Sequence, residues 1–209
     1  VANSEKHVLV YLARHGTTDL NLHHAFRGPV DAPLDKAGTR DANTLAYYFE
    51  PIDVSLIGHS GRKRTRDTAK LIADRKGYPH QELLDNPGLQ AWNVGYLGGK
   101  PKNGENLKVI DYHTANPDVP IPEGESLNHF KVRVRPLLID AIDLGARSGM
   151  PVLLIIHSSI IHEAGTMIAG CHTRALVEPG GVAAIYIQNG KLDVEPIFKP
   201  RLDKQTEIT

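Results

Sequence analysis

With Cys171 as its single cysteine, this 209-residue chain can form no intrachain disulfide, which suits a reducing compartment. An excess of charge of one sign is also missing. The 24 basic residues balance 24 acidic ones, so no overall field draws the chain to nucleic acid or to an anionic membrane. Long apolar runs are absent too: stretches such as Val152–Ile156 fall far short of the ~20 residues that span a bilayer. The opening VANSEKHVLVYLARHG lacks the basic stretch, long apolar core and small-residue cleavage site of a secretory signal. These absences point to the cytoplasm, without a membrane or a nucleic acid as partner. Composition leaves the oligomeric state open, a homodimer included. No internal repeat, low-complexity block or linker interrupts the sequence, so one domain over 1–209 is the simplest organisation.

What is present is a globular composition, 41% apolar and 23% charged. Residues 8–13 form a short β-branched run that ends at Arg14-His15-Gly16, as a buried central strand would. Residues 17–34 have no helical period and contain Gly28, Pro29 and Pro33, so they read as loop. Asp35 can cap a helix to about Phe49. Residues 53–57 read as a second strand. Ser60 can cap a helix to about Lys76, with Gly77 as its C-terminal cap. A third strand is expected at 80–84. Residues 85–125, rich in Gly, Pro and Asn, form a long excursion with a short helix near 107–114, and such an insertion in a compact domain reads as a cap over a site. Residues 125–144 read as a helix interrupted by Pro136. The most apolar strand, 151–156, ends at His157-Ser158-Ser159 and is followed by a helix over 160–170. Asn189-Gly190 between 182–187 and 191–197 signals a two-residue hairpin. Strands alternating with helices predict a three-layer α/β/α sandwich around a mostly parallel central sheet, with a cap insertion.

Two strands thus end in histidine, and ligand sites of open α/β sheets gather at the carboxyl ends of strands. If those strands are neighbours, His15 and His157 face one crevice. Arg14 adjoins His15, and Gly16 allows close backbone approach to a ligand. Arg62, Arg64 and Arg66 lie in the first turn of a helix, where the partial positive charge and a guanidinium favour an anion. Two imidazoles and two arginines around one point would suit a phosphoryl group. Metal chemistry has little support: His23-His24 is a poor chelate, and His162-Glu163 has Thr166 where a zinc-protease helix has its second His. Trp92 is either an anchor of the cap in the core or a wall of the substrate pocket.

These residues resemble the histidine phosphatase superfamily, also called phosphoglycerate-mutase-like, over about residues 8–187. Arg14-His15-Gly16 is similar to the family's RHG motif, and Thr18 and Asn21 match the family's next positions. Asp31-Ala32-Pro33-Leu34-Asp35-Lys36-Ala37-Gly38 resembles its D-x-P-L-T-x-x-G, Arg64-Thr65-Arg66-Asp67-Thr68-Ala69 its R-T-x-x-T-A, and Pro122-Glu123-Gly124-Glu125-Ser126 its P-x-G-E-S. His157 stands at the second family histidine, with Ser158 in place of the usual Gly. The resemblance implies that His15 attacks phosphorus and becomes phosphohistidine. Arg14, Arg64 and His157 would bind the phosphoryl oxygens, Asn21 would be a secondary contact, and a small phosphorylated compound would be the substrate. Such catalysis is mostly positioning and electrostatics. It needs neither metal nor cofactor. It needs a neutral His15, its tautomer set by a backbone carbonyl near Gly16 or Thr17.

One departure matters. The family's proton donor is a Glu in L-x-E-x-x-x-G, and here Leu89-Gln90-Ala91-Trp92-Asn93-Val94-Gly95 carries Ala91 instead. Loss of a general acid costs about 10²–10⁴-fold. Glu105 is the first substitute to expect, followed by Asp31 and Glu125. The rival readings are a phosphoglycerate-type mutase, for which Lys100, Lys102 and Lys108 could supply extra cations, and a catalytically weak phosphate-binding module.

Overall fold

A computed structural model describes residues 5–200; positions 1–4 and 201–209 of the domain expected over 1–209 lie outside the described residues. Strands β1 (His7–Arg14), β2 (Leu56–His59), β3 (Leu84–Asp85), β4 (Val152–Ile156), β5 (Val182–Gln188) and β6 (Lys191–Phe198) form one sheet. Its order is β3-β2-β4-β1-β5-β6. The β3–β2, β2–β4 and β4–β1 pairings are parallel, and β5 and β6 add an antiparallel edge.

The helices are α1 (Asp19–Leu22), α2 (Lys36–Phe49), α3 (Lys63–Lys76), α4 (Gly104–Ala115), α5 (Leu127–Ser148) and α6 (Ser158–Ala169). Side chains along β4 alternate between two buried faces, as a central strand requires. Val152, Leu154 and Ile156 join Phe130, Val134 and Leu138 of α5 and Ile160, Ile161 and Ala164 of α6. Leu153 and Ile155 join Leu45 and Phe49 of α2 and Ala69 and Ile72 of α3. Helices therefore cover both faces, and the fold is the expected three-layer sandwich.

Several boundaries differ from expectation for local reasons. The second strand starts at Leu56, three residues later than the expected start at 53. Ser55 N–H still donates to Pro151 O (2.9 Å), but Pro151 has no N–H to continue the ladder with β4. The expected strand over 80–84 shrinks to Leu84–Asp85, because Pro79 leads into a 3-10 turn at His80–Glu82. Within the expected loop 17–34, Asp19–Leu22 forms one helical turn. Asp35 caps α2 as expected, accepting from Gly38 N–H (2.6 Å), and Gly77 ends α3 in the left-handed region (φ 64). Pro136 does not end α5. The carbonyl it leaves without a donor belongs to Val132, which is 72% exposed, so water can satisfy it. The excursion builds a small core of its own from Val94, Leu97 and Ile121 with Phe26.

Contact between α5 and β1 is close enough that a Cβ on Gly145 would run into the backbone carbonyl of Leu9. Backbone cannot rotate aside as a side chain can. Gly145→Ala is therefore expected to lower stability by about 1–3 kcal/mol, although alanine favours helix. A lower urea midpoint at unchanged m value would show it; an unchanged or higher midpoint would refute it.

Candidate active site

At the centre of the sheet, β1 and β4 run parallel, with Arg14 opposite Ile156. The chain leaves β1 towards α2 on one face and leaves β4 into α6 on the other. This divergence opens a crevice at the carboxyl ends of the two strands. His15 follows β1 there, its N–H donating to Ile156 O (3.2 Å). His157 follows β4 as the N-cap of α6, with extended backbone (φ −116, ψ 157). The two ring centroids are 5.2 Å apart at an interplanar angle of 64°.

Each ring is held by one nitrogen and leaves the other to the cleft. Nδ1 of His15 lies 2.7 Å from Gly16 O, so it carries the proton and Nε2 keeps its lone pair. Nε2 of His157 lies 2.7 Å from Ser60 Oγ, which also meets Thr65 Oγ1 at 2.9 Å. Arg14 donates through Nη1 to Val177 O (2.8 Å), and Arg64 through Nη1 to Val30 O (3.0 Å). What remains is buried and without a partner among the described residues: Arg14 Nε, His15 Nε2, Arg64 Nε and Nη2, and His157 Nδ1. Buried polar atoms that protein groups do not satisfy are met by ordered water or by a ligand. Five such nitrogens around one crevice fit a tetrahedral oxyanion.

Electrostatics agrees with that use. Burial first, then the charges of Arg64, Arg27 and Arg14, hold His15 well below the usual imidazole range, against an opposing pull from Gly16 O. Burial and Arg64 also lower His157, with His15, Arg27 and Arg62 adding to the effect. Both rings are neutral at pH 7. Burial, with Arg27 next, lowers Arg14 and Arg64 to about 10, so both stay charged at neutral pH.

The sign of these shifts sets how stability should depend on pH. Below a pH of about 6.5 the unfolded chain protonates imidazoles that the folded chain keeps neutral. The unfolded state then binds more protons, so stability is full above that pH and falls as the pH drops through it. With His15 and His157 acting together, the slope approaches about two protons per molecule. Urea titrations between pH 7.5 and 5 should show this, and a flat profile would refute it.

Other expected residues make contacts within the protein. A Cβ on Gly16 would strike the carbonyl of Gly38, and a Cβ on Gly38 that of Thr17. The RHG loop is thus pressed against α2, where Asp41 Oδ2 accepts from Thr17 N–H (3.0 Å) and Oγ1 (2.6 Å). Asn21 braces the same loop, its Oδ1 accepting from Thr18 N–H (3.1 Å) and Oγ1 (2.8 Å). Ser60 does not cap α3; Arg62 holds that position, and Ser60 serves His157 instead.

Beside the crevice lies a cavity of about 620 Å³. Phe26, Trp92, Val94, Ile110, Leu127 and Phe130 give it an apolar wall, while Arg27, Lys102, His157, Ser158 and His162 give it a polar one. Trp92 is both a wall of the cavity and an anchor: it packs against the main core and the core of the excursion, and its indole N–H donates to Glu125 O (3.2 Å). Ala91 faces the same space. None of the three carboxylates expected to replace the missing Glu lines it. Glu105 is exposed in the first turn of α4, which Asn103 caps. Glu125 Oε1 is occupied by Arg133 Nη2 (2.6 Å) and Asn93 N–H (2.9 Å), and Asp31 Oδ1 by Lys63 N–H (2.8 Å).

Sequence reasoning missed Ser60, Arg27 and the cavity role of His162. Ser60 follows β2 just as His15 follows β1, so the strand-end rule could have found it. His162 lies one turn beyond Ser158 on α6, a spacing that shares a helix face. Arg27 sits in irregular chain with no periodic signal.

Comparison with known proteins gives the chain's family and relatives of its fold. The family model for the histidine phosphatase superfamily (branch 1) matches residues 10–194. A probable phosphoglycerate mutase, GpmB, of Yersinia pestis (strain Pestoides F) is 31% identical over 152 residues, covering 71% of this chain and 68% of that protein. The phosphoglycerate mutase structure from Bacillus anthracis str. Sterne superposes with a TM-score of 0.76 at 23% identity, covering 94% of this chain and 95% of that one. A mycobacterial glucosyl-3-phosphoglycerate phosphatase in complex with VO3 gives 0.71 at 20% identity, over 91% and 97%. At such identities the two structures speak for the fold alone. Together with the matched motifs, the family match over most of its length places this chain in the histidine phosphatase superfamily.

Proposed function

We propose that the protein hydrolyses a small phosphomonoester through a phosphohistidine on His15. The observation that carries this reading is the buried, unpartnered Nε2 of a neutral His15 amid four further unpartnered nitrogens of Arg14, Arg64 and His157. In the first step the Nε2 lone pair attacks phosphorus and the bond to the leaving oxygen breaks. In the second, water attacks the phosphoryl group, the P–N bond breaks, and phosphate leaves with His15 restored. Arg14, Arg64 and His157 are placed to stabilise the charge on the phosphoryl oxygens in both transition states.

Hydrolysis is favoured over a mutase reaction by the cavity. A mutase must hold a bisphosphorylated intermediate, which calls for cations around the second anion. Of Lys100, Lys102 and Lys108, only Lys102 lines the cavity, where Arg27 and Lys131 join it, so the discrimination rests on the apolar part of the wall; Lys100 Nζ stacks 4.3 Å from the Tyr96 ring centroid, and Lys108 is exposed. The apolar wall suits an organic leaving group better than a second phosphate.

Incubation with 4-nitrophenyl phosphate, stopped with base to preserve phosphohistidine, tests the reading. Release of nitrophenol together with an acid-labile phosphoprotein is the expected result. Interconversion of phosphoglycerates faster than their hydrolysis would favour the mutase, and phosphate binding without turnover would favour a binding module.

A further inference from the structure

We propose that His162 is the catalytic residue that hands a proton to the leaving oxygen, and takes one from the attacking water, in the hydrolysis inferred above. The assignment rests on that reading and fills the gap at Ala91. The residue is on α6, on the helix face that also presents Ser158 and Thr166 to the cavity. Its Nε2 is buried and has no partner among the described residues. The one carboxylate on the cavity wall, Glu163, is held by Arg135 Nε at 2.6 Å. With Glu163 so held and His157 assigned to the phosphoryl oxygens, the remaining imidazoles on the wall near Ala91 are His162 and His172; His172 is exposed, and His162 is the one with a buried ring nitrogen that has no partner among the described residues.

Its surroundings suit a proton carrier. Arg14 from β1, Lys102 ahead of α4 and His172 beyond α6 act on the ring, and Lys131 of α5 lines the same cavity. The rings of His162 and His172 are 6.1 Å apart. Among the described residues no third His, Cys, Asp or Glu joins them in a metal-holding group. Burial, followed by His172, Arg14 and Lys102, keeps His162 below its ordinary value, so it is neutral in the free protein. A bound phosphoryl group offsets Arg14 and Lys102 and raises the ring's affinity for a proton. A monoanionic ester brings that proton with it, since the second phosphate pKa is about 6.

The steps balance. Protonated His162 gives its proton to the leaving oxygen as the P–O bond breaks and the P–N bond to His15 forms, releasing an alcohol. Neutral His162 then accepts a proton from water as the new P–O bond forms and the P–N bond breaks. Protonated His162 returns that proton to the departing phosphate, which leaves as dihydrogen phosphate, so His162 is neutral again and the next monoanionic ester resets the cycle.

The test compares wild type and His162→Gln on 4-nitrophenyl phosphate, whose leaving group needs little help, and on an alkyl phosphate, whose leaving group needs a proton. We expect a loss of about 10²-fold on the alkyl ester and a loss at least about tenfold smaller on the aryl ester. Ala91→Glu placed in the His162→Gln protein should recover alkyl turnover by about tenfold or more, because it returns an acid to the same space. The aryl substrate doubles as a control for folding. Equal losses on both esters, or none on either, overturn the assignment of His162 yet leave the phosphatase reading standing, provided wild type still labels His15. Failure of wild type to label His15 overturns both.

Discussion

A His15→Ala protein should turn over 4-nitrophenyl phosphate at least about 10⁴-fold more slowly than wild type, the scale on which loss of a nucleophile acts. It should also form no acid-labile phosphoprotein. The expectation is this large because the imidazole that remains at the crevice, His157, is held through Nε2 by Ser60 and, in the reading above, turns its Nδ1 to the phosphoryl oxygens and not to phosphorus. Vanadate and phosphate should still bind to the alanine protein, since Arg14, Arg64 and His157 remain. Retention of anion binding with loss of turnover separates the nucleophile from the cradle around it. Residual turnover within tenfold of wild type would show that phosphorus is attacked by another group, such as water directly.

Arg64→Met should cost about 10³-fold in kcat/KM while leaving the unliganded protein at least as stable as wild type. The guanidinium is fully buried, and its described hydrogen bond is the one from Nη1 to Val30 O. Nε and Nη2 have no partner among the described residues, and its charge is partly opposed by the Coulombic pull of Asp31. A buried charge without a close counter-ion costs several kcal/mol, roughly, and an apolar residue of similar volume relieves that cost. Phosphate should reverse the order. At about one hundred times its Kd a ligand adds about 2.7 kcal/mol to wild type, and the Met variant should gain little. Thermal melts with and without phosphate would show the crossing. Equal stabilisation of both proteins would mean that Arg64 does not touch the anion.

Much of this arrangement is legible in the residues. The strand at Val152–Ile156 is apolar on both faces, and its ending at His157, like that of β1 at His15, places two imidazoles where an α/β sheet collects ligands. Caps at Asp35 and Gly77 have local causes, as does the hairpin at Asn189-Gly190, whose residues have φ of 53 and 72. The sequence is less informative where tertiary contact decides. Ser60 reads as a helix cap by type, yet its hydroxyl is claimed by a histidine 97 positions away. Glu105 reads as an acid because it lies in the excursion, but the capped turn of α4 holds it in solvent. Gly16 reads as room for a ligand, yet the backbone pressing on it belongs to Gly38. No spacing rule reports which of several carboxylates in an irregular segment turns inward.

The pairing of β1 with β4 carries a consequence for how such a protein comes to function. His15 and His157 lie far apart in the sequence and meet only when two central strands lock in a single register. A slip of one residue would displace one ring by about 3.3 Å along the strand and turn it to the other side of the sheet. The two-imidazole cradle therefore depends on the β1–β4 pairing, and a chain without that pairing does not hold the two rings together.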